Sequence, residues 1–296
     1  LAVAFVAAGL LGGCVQPAAP SPSPSASVTL DLSAPGQARS MVRKLIAKAG
    51  TAQLIQVEIT TEWASITVVK DNQPETWAWR DNTIKQVDSD VAYVEQRIFS
   101  IDDFNISDVG GLFRAASGIS GSQSSQELQI VDSSSGEVFM SVSTNPESRT
   151  VFFYPNGALL PTLDFSTEGG IRDGLADVIG PRSMALSIGV QSSLGAWLDL
   201  PGSTSTTIRR LRTATVPVTI NERAQRPELV PFSVARVRPE AIWQVLAHAR
   251  QRGAFDGGTR WQVVVEDRAR TGVPRMYFTI GNSSLVTDLN GQEIAP

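Results

Sequence analysis

The chain has 296 residues, 42% hydrophobic and 18% charged, with a formal net charge of −4, one cysteine and one histidine. That is enough apolar side chain for one large domain or two ordinary ones. The single cysteine excludes an intramolecular disulfide, and the acidic balance argues against a nucleic-acid binder, which is usually basic.

Leu1 to Leu11 reads LAVAFVAAGLL without a charge and is followed by Gly12, Gly13 and Cys14. The run is shorter than the roughly 20 apolar residues that span a bilayer. It fits the hydrophobic part of a signal peptide, about 7–15 residues. With no Met and no basic stretch before it, we expect a truncated start. Leu11-Gly12-Gly13-Cys14 resembles the lipobox that closes a bacterial lipoprotein signal peptide, although Gly12 is less usual there than Ala or Ser. The resemblance implies removal of residues 1–13, acylation of Cys14 (palmitate or a similar chain), and residence on the extracytoplasmic face of a cell membrane. The alternatives are an ordinary secreted protein or an uncleaved leader. No second stretch is long and apolar enough to span, so membrane association would rest on the lipid; two acyl chains anchor stably and one only marginally.

Residues 14–37 combine that cysteine with a segment rich in Pro, Ser and Ala. Such a composition buries too little surface to offset its ordering entropy, which predicts a disordered tether. Val28 to Leu32 reads either as a short first strand or as part of the tether.

From Ala38 onward, helix signals alternate with strand signals. Ala38 to Ala49 is helical, followed by strands over Gln53 to Thr60, Ser65 to Lys70, Thr76 to Arg80 and Thr83 to Val87. Asp71-Asn72 and Asp81-Asn82 are turn chemistry, because Asn and Asp tolerate left-handed backbone. A second helix over Asp108 to Ala116 precedes strands at Glu127 to Asp132, Val138 to Ser143 and Thr150 to Tyr154. A third, Gly170 to Ile179, precedes strands near Met184 to Val190, Ala196 to Leu200 and Ile208 to Val218. A fourth, Pro239 to Gln251, has Pro239 at the favoured first-turn position. Its strands fall at Arg260 to Asp267, Pro274 to Ile280 and Ser284 to Leu289.

The pattern repeats at a period near 133 residues. Phe99-Ser100-Ile101 corresponds to Phe232-Ser233-Val234, and Val109, Leu112 and Phe113 to Ile242, Val245 and Leu246. Val42, Leu45 and Ile46 fall on Leu175, Val178 and Ile179. Leu128 to Val131 falls on Trp261 to Val264, Val138 to Val142 on Met276 to Ile280, and Asn156-Gly157 on Asn290-Gly291. We therefore expect an α+β fold of two homologous halves, residues 38–165 and 166–296, each made of two helix-then-antiparallel-meander units. One face of each sheet would carry the helices, since each helix offers one apolar stripe. The element order is similar to PepSY-like and tandem β-lactamase-inhibitor-like modules of exported bacterial proteins. No family motif is matched, so no functional residue is carried over.

The inventory for chemistry is thin. His248 lies inside a helix, no Gly-x-Ser-x-Gly turn exists, and Ser40 with Lys44 is a spacing that any helix produces. One histidine and one lipidated cysteine leave only carboxylate and carbonyl metal ligands. The densest acid group, Asp102, Asp103 and Asp108, precedes a helix, where carboxylates cap free N–H groups. No cofactor, metal or catalytic residue is therefore expected.

Two features hint at partners. Residues 38–165 carry 10 Lys and Arg against 16 Asp and Glu, whereas residues 166–296 carry 15 Arg against 12. Arg209, Arg210 and Arg212 would offer a patch to an anionic lipid, polymer or acidic protein, or form an ordinary solvated face; the opposite charge signs of the two halves would alternatively dock one half against the other. Trp77 and Trp79 share a strand face, which is either core or an exposed platform. The leading expectation is a non-enzymatic, lipid-anchored envelope protein that binds a ligand, a protein or a polymer. The alternative is a lipid or glycolipid carrier with an apolar cavity, and a carboxylate-only hydrolase is a third reading.

Overall fold

The computed structural model describes residues 30–89, 96–132, 137–144, 149–224, 228–253, 256 and 258–294. The lipobox, Cys14 and most of the expected tether lie outside the described residues. The described end of that segment, residues 30–37, is folded rather than tether. Leu30 to Gly36 is not a strand, but it is packed down: Leu32 is fully buried, and its N–H donates to Thr61 O. Gly36 N–H donates to Ser107 O at 2.7 Å. Leu32 in the core, with Leu30 packed against it, and these backbone bonds dock the segment.

The first half runs α1 (Gln37–Ala49), β1 (Leu54–Ile59), β2 (Ala64–Lys70), β3 (Gln73–Arg80), β4 (Thr83–Val87), a 3₁₀ turn (Ile101–Asp103), α2 (Val109–Ser120), β5 (Glu127–Asp132), β6 (Val138–Ser143) and β7 (Val151–Phe153). The second runs α3 (Glu168–Ile179), β8 (Met184–Ala185), β9 (Ser187–Gln191), β10 (Gly195–Pro201), β11 (Thr207–Arg212), β12 (Thr219–Arg223), β13 (Phe232–Ser233), a 3₁₀ turn (Val234–Arg236), α4 (Pro239–Gln251), β14 (Trp261–Glu266), β15 (Arg275–Ile280) and β16 (Ser283–Thr287). The protein is thus α+β, with four α-helices among the described residues and two antiparallel seven-stranded sheets.

The sheets have the orders β4-β3-β2-β1-β5-β6-β7 and β12-β11-β10-β9-β14-β15-β16. In each, a four-stranded and a three-stranded meander join through their first strands, β1 with β5 and β9 with β14. The two meanders of each half thus share one continuous sheet. The hairpin turns at Asp71-Asn72 and Asp81-Asn82 have positive φ at both residues, as tight two-residue turns require. The outer strands β7 and β16 are each covered by a returning segment after an Asn-Gly turn, through Leu160 N to Phe152 O and Ile294 N to Val286 O.

The helices cover one face of each sheet. The α1 stripe (Ala38, Met41, Val42, Leu45, Ala49) packs with Val57, Ile66, Val68 and Trp79 in a first core. Ala241, Ile242, Val245 and Leu246 of α4 join Ile188, Val190, Leu198 and Val263 in a second. Leu163 and Phe165 belong to this second core, so the packing changes over slightly before the expected boundary at residue 165.

Two readings of register need correction. Take the alanines that close the central hairpins, Ala64 and Ala196, as the common point. Pairing then makes Leu128 the equivalent of Val263, and Val142 that of Phe278. The sequence match had set these strands two residues away. A slip of two keeps every side chain on the same face, so hydrophobic alternation cannot detect it. The strand expected over Ile208 to Val218 is also too long: β11 ends at Arg212, residues 213–218 form a turn, and β12 begins beyond the expected strand at Thr219.

Candidate functional site

The helix-free face of the second sheet carries a built site. Hydrogen-bonded register sets one row of side chains across six strands: Asn221, Arg209, Asp199, Ser187, Glu266 and Arg275. The adjacent row is apolar: Leu211, Trp197, Gly189, Val264 and Tyr277. Polar and apolar rows alternate here because each strand alternates, and antiparallel pairing aligns the alternation.

The charges in the row are held in place. Arg209 grips Asp199 with two parallel bonds, Nε to Oδ1 at 2.7 Å and Nη2 to Oδ2 at 2.6 Å. Its guanidinium lies 5.4 Å from the Trp197 ring centroid. Arg268 pairs with Glu266 at 2.8 Å and stacks 3.8 Å from the Tyr277 centroid. Together with Thr207, Arg223 and Glu228 these groups line an open cleft of about 380 Å³. Arg223 has no ion pair among the described residues. The lining carries three arginines and three carboxylates, so it is amphoteric rather than a cationic patch.

Of the three arginines singled out in sequence, only Arg209 lines this cleft. Arg210 and Arg212 point to the other face and are 2% and 0% exposed. Arg210 Nε donates to Val178 O at 2.7 Å, and its Nη2 bonds Glu137 Oε1 at 2.9 Å. Arg212 Nε donates to Asp177 Oδ2 at 2.9 Å, and its other nitrogens donate to Thr213 O, Val216 O and Pro161 O. These two side chains tie β11 to the end of α3, to the β5–β6 connection and to the segment leaving the first half. Tyr154 sits at the same junction, where burial and then the Asp177 charge raise its pKa. The expected patch is thus divided by strand alternation, and its buried part is structural.

Trp77 and Trp79 occupy the positions on β3 that Arg210 and Arg212 occupy on β11, since Ala64 pairs with Trp79 as Ala196 pairs with Arg212. Both face α1. Trp79 is in the core and Trp77 packs against it, so they form no exposed platform. One half fills this place with indole and the other with guanidinium reaching helix-end carbonyls.

The remaining candidates resolve into local roles. Asp108 caps α2, accepting from Gly111 N–H at 2.8 Å. Asp108→Ala should cost about 1 kcal/mol in urea unfolding without altering m; a loss under a few tenths would refute the cap. Asp102 accepts from Arg39 and Arg43. Ser40 and Lys44 lie on the exposed side of α1 and their side chains share no hydrogen bond, and His248 lies on α4. No group of three or more His, Cys, Asp or Glu among the described residues is placed to hold a metal. Among the described residues no helix is long and apolar enough to cross a membrane.

Asp164 orders the entry to α3. Its carboxylate accepts from the Ser166 hydroxyl at 2.6 Å and the Ser166 N–H at 2.9 Å, and these bonds hold its pKa below the ordinary 3.8. A depressed pKa stabilises the fold above the unfolded value, and that contribution is lost as pH falls through the folded value. Asp164→Asn should therefore be less stable than the parent near neutrality. The two should converge in acid, followed by thermal unfolding across pH; a constant gap would contradict this.

The cleft residues Asp199, Ser187, Glu266 and Arg268 escaped the sequence reading. The signal was present in the alternation Trp197, Asp199 and Val264, Glu266, but nothing local says that these strands adjoin.

No family model matches the chain, and neither does any curated protein. Among solved structures, the Helicobacter pylori β clamp bound to a DNA ligase peptide is similar at 11% identity, with a TM-score of 0.17 over 88% of this chain and 66% of that one. The same clamp with diflunisal gives 10% identity, a TM-score of 0.17, and 88% and 62% coverage. The DNA polymerase III subunit β from Pseudomonas aeruginosa gives 11%, 0.16, and 88% and 65%. The chain thus spans less than two thirds of the length of these structures, and at such scores the likeness carries no argument.

Proposed function

We propose that this protein is a non-enzymatic, lipid-anchored protein of the cell envelope, built by duplication of one α+β unit, which receives a partner on the helix-free face of its second sheet. The observation that carries the binding role is the open cleft over the fixed charged row, with Leu229 as an apolar group beside the charges. Arginines and carboxylates held by bidentate and stacking contacts are pre-organised for recognition. Such a surface suits a partner that carries both charge signs beside apolar groups, as a protein segment does. The hydroxyls in the cleft, Ser187 and Thr207, stand among guanidinium–carboxylate pairs, which suit hydrogen bonding better than covalent attack.

Duplication is supported by the identical strand orders, by the matching 3₁₀ turns before α2 and α4, and by the Asn-Gly returns on β7 and β16. The anchor is supported by the lipobox resemblance at Cys14 and by the Pro- and Ser-rich tether. A carrier would keep acyl chains between helices and sheet. That layer is occupied here by packed side chains such as Leu45, Val57, Ile66 and Phe113, which favours the binding reading.

A photo-reactive residue placed at Thr207 or Arg223 in the whole protein, expressed in its own envelope, should give one discrete adduct, whereas one at Lys70 should not. No adduct from either cleft position would defeat this reading. A lipid retained in native mass spectrometry would shift the balance to the carrier. Incorporation of labelled palmitate, lost in Cys14→Ser, tests the anchor separately.

A further inference from the structure

We infer that the exposed face of α1 is a docking surface for anionic lipid headgroups, holding the folded part against the membrane to which Cys14 tethers it; this rests on the anchor reading above. Helix α1 contains no acidic residue, yet it carries Arg39, Arg43, Lys44 and Lys48. These are four of only 10 basic residues in a half with 16 acidic ones, so the charge is segregated rather than scattered. Arg43, Lys44 and Lys48 are exposed, and Arg39 is half-buried with Nη2 donating to Phe104 O. The opposite stripe of the same helix is buried in the core, so the basic face points outward by necessity. Its counter-charge is slight. Arg39 and Arg43 share the exposed Asp102, and Lys44 and Lys48 have no ion pair among the described residues.

Position makes the lipid surface the fitting occupant. Because Leu30 to Gly36 is packed onto the fold, only residues 15–29 separate Cys14 from the docked chain. That length reaches about 50 Å at most. The first helix after the tether is thus kept at high effective concentration beside the headgroups. Each Lys or Arg near an anionic surface is worth about fivefold in binding, so a few suffice once the tether has removed the cost of encounter. An acidic polymer would need no such placement next to the anchor.

The four lysines of the chain make the test internal: Lys44 and Lys48 lie on α1, Lys70 and Lys85 elsewhere. The whole chain is coupled through its sole cysteine, Cys14, to a maleimide lipid in phosphatidylcholine vesicles with or without phosphatidylglycerol. Lysine acetylation rates are then read by mass spectrometry. We expect Lys44 and Lys48 to be slowed about threefold or more by phosphatidylglycerol, reversed by salt that shortens the screening length, and weakened in Arg43→Glu. Lys70 and Lys85 should be unaffected. Equal rates on both vesicles, or equal protection of all four lysines, would overturn the proposal. Chemical coupling at Cys14 replaces biological acylation, so failure of palmitate labelling would remove the anchor reading without altering this result.

Discussion

Asp177→Ala should lower the stability of the fold by about 3–5 kcal/mol in urea unfolding, because it leaves a guanidinium buried without its counter-ion. Arg212 is 0% exposed, whereas the Asp177 side chain is 33% exposed. The charge that cannot reach water is therefore the arginine. Three carbonyls, of Thr213, Val216 and Pro161, remain as acceptors, which sets the loss toward the lower end. The diagnostic comparison is the double variant. Arg212→Met in the Asp177→Ala background removes the stranded charge and fills most of its volume, so the double variant should be more stable than Asp177→Ala alone. A double variant no better than the single one would show that packing, not charge, holds this junction. Because Arg212 and Arg210 reach residues of both halves, the transition should also broaden or split when they are removed, a loss of two-state behaviour read as a fall in apparent m.

Trp197→Ala should cost about 3–5 kcal/mol, the usual range for emptying a buried aromatic site. The indole is 4% exposed although it lies on the helix-free face, because it folds flat over Gly189. A β-carbon at Gly189 would come within 2.1 Å of Trp197 Cζ2. Gly189→Ala must therefore displace the ring, at about 1–3 kcal/mol. Both substitutions act on one contact, so their costs should not add. By contrast Arg209→Ala, which leaves the 13%-exposed Asp199 carboxylate without its partner and removes one cation–π contact, should cost about 1–3 kcal/mol while weakening partner binding. If Arg209→Ala destabilised the fold as much as Trp197→Ala, the charged row would be structural and the cleft would lose its claim to be a binding site.

Much of the local structure was legible because it follows from local periodicity. The stripes Val42-Leu45, Val109-Leu112-Phe113 and Ile242-Val245-Leu246 are buried as their helical spacing requires. The Asp-Asn turns are tight because those residues accept positive φ. Strand β12 was missed because Thr219–Arg223 has one apolar residue and sits on an edge with no core to face. The joining of β1 to β5 and of β9 to β14 pairs segments about 70 residues apart, and no local signal encodes such partners.

Sequence by itself determined the helix stripes, the hairpins, the charge asymmetry of the halves and the alternation that puts Trp77 with Trp79 and Arg210 with Arg212. Alternation says which residues share a face, but not which face meets the helices. Only the tertiary structure decided that. Carbonyls of α3 and the carboxylate of Asp177, more than 30 residues away, turned Arg210 and Arg212 into buried ties. Strand pairing brought Arg209, Asp199, Ser187 and Glu266 into one row. Burial of a charge depends on partners that only folding can supply, and so does the assembly of a site from four strands.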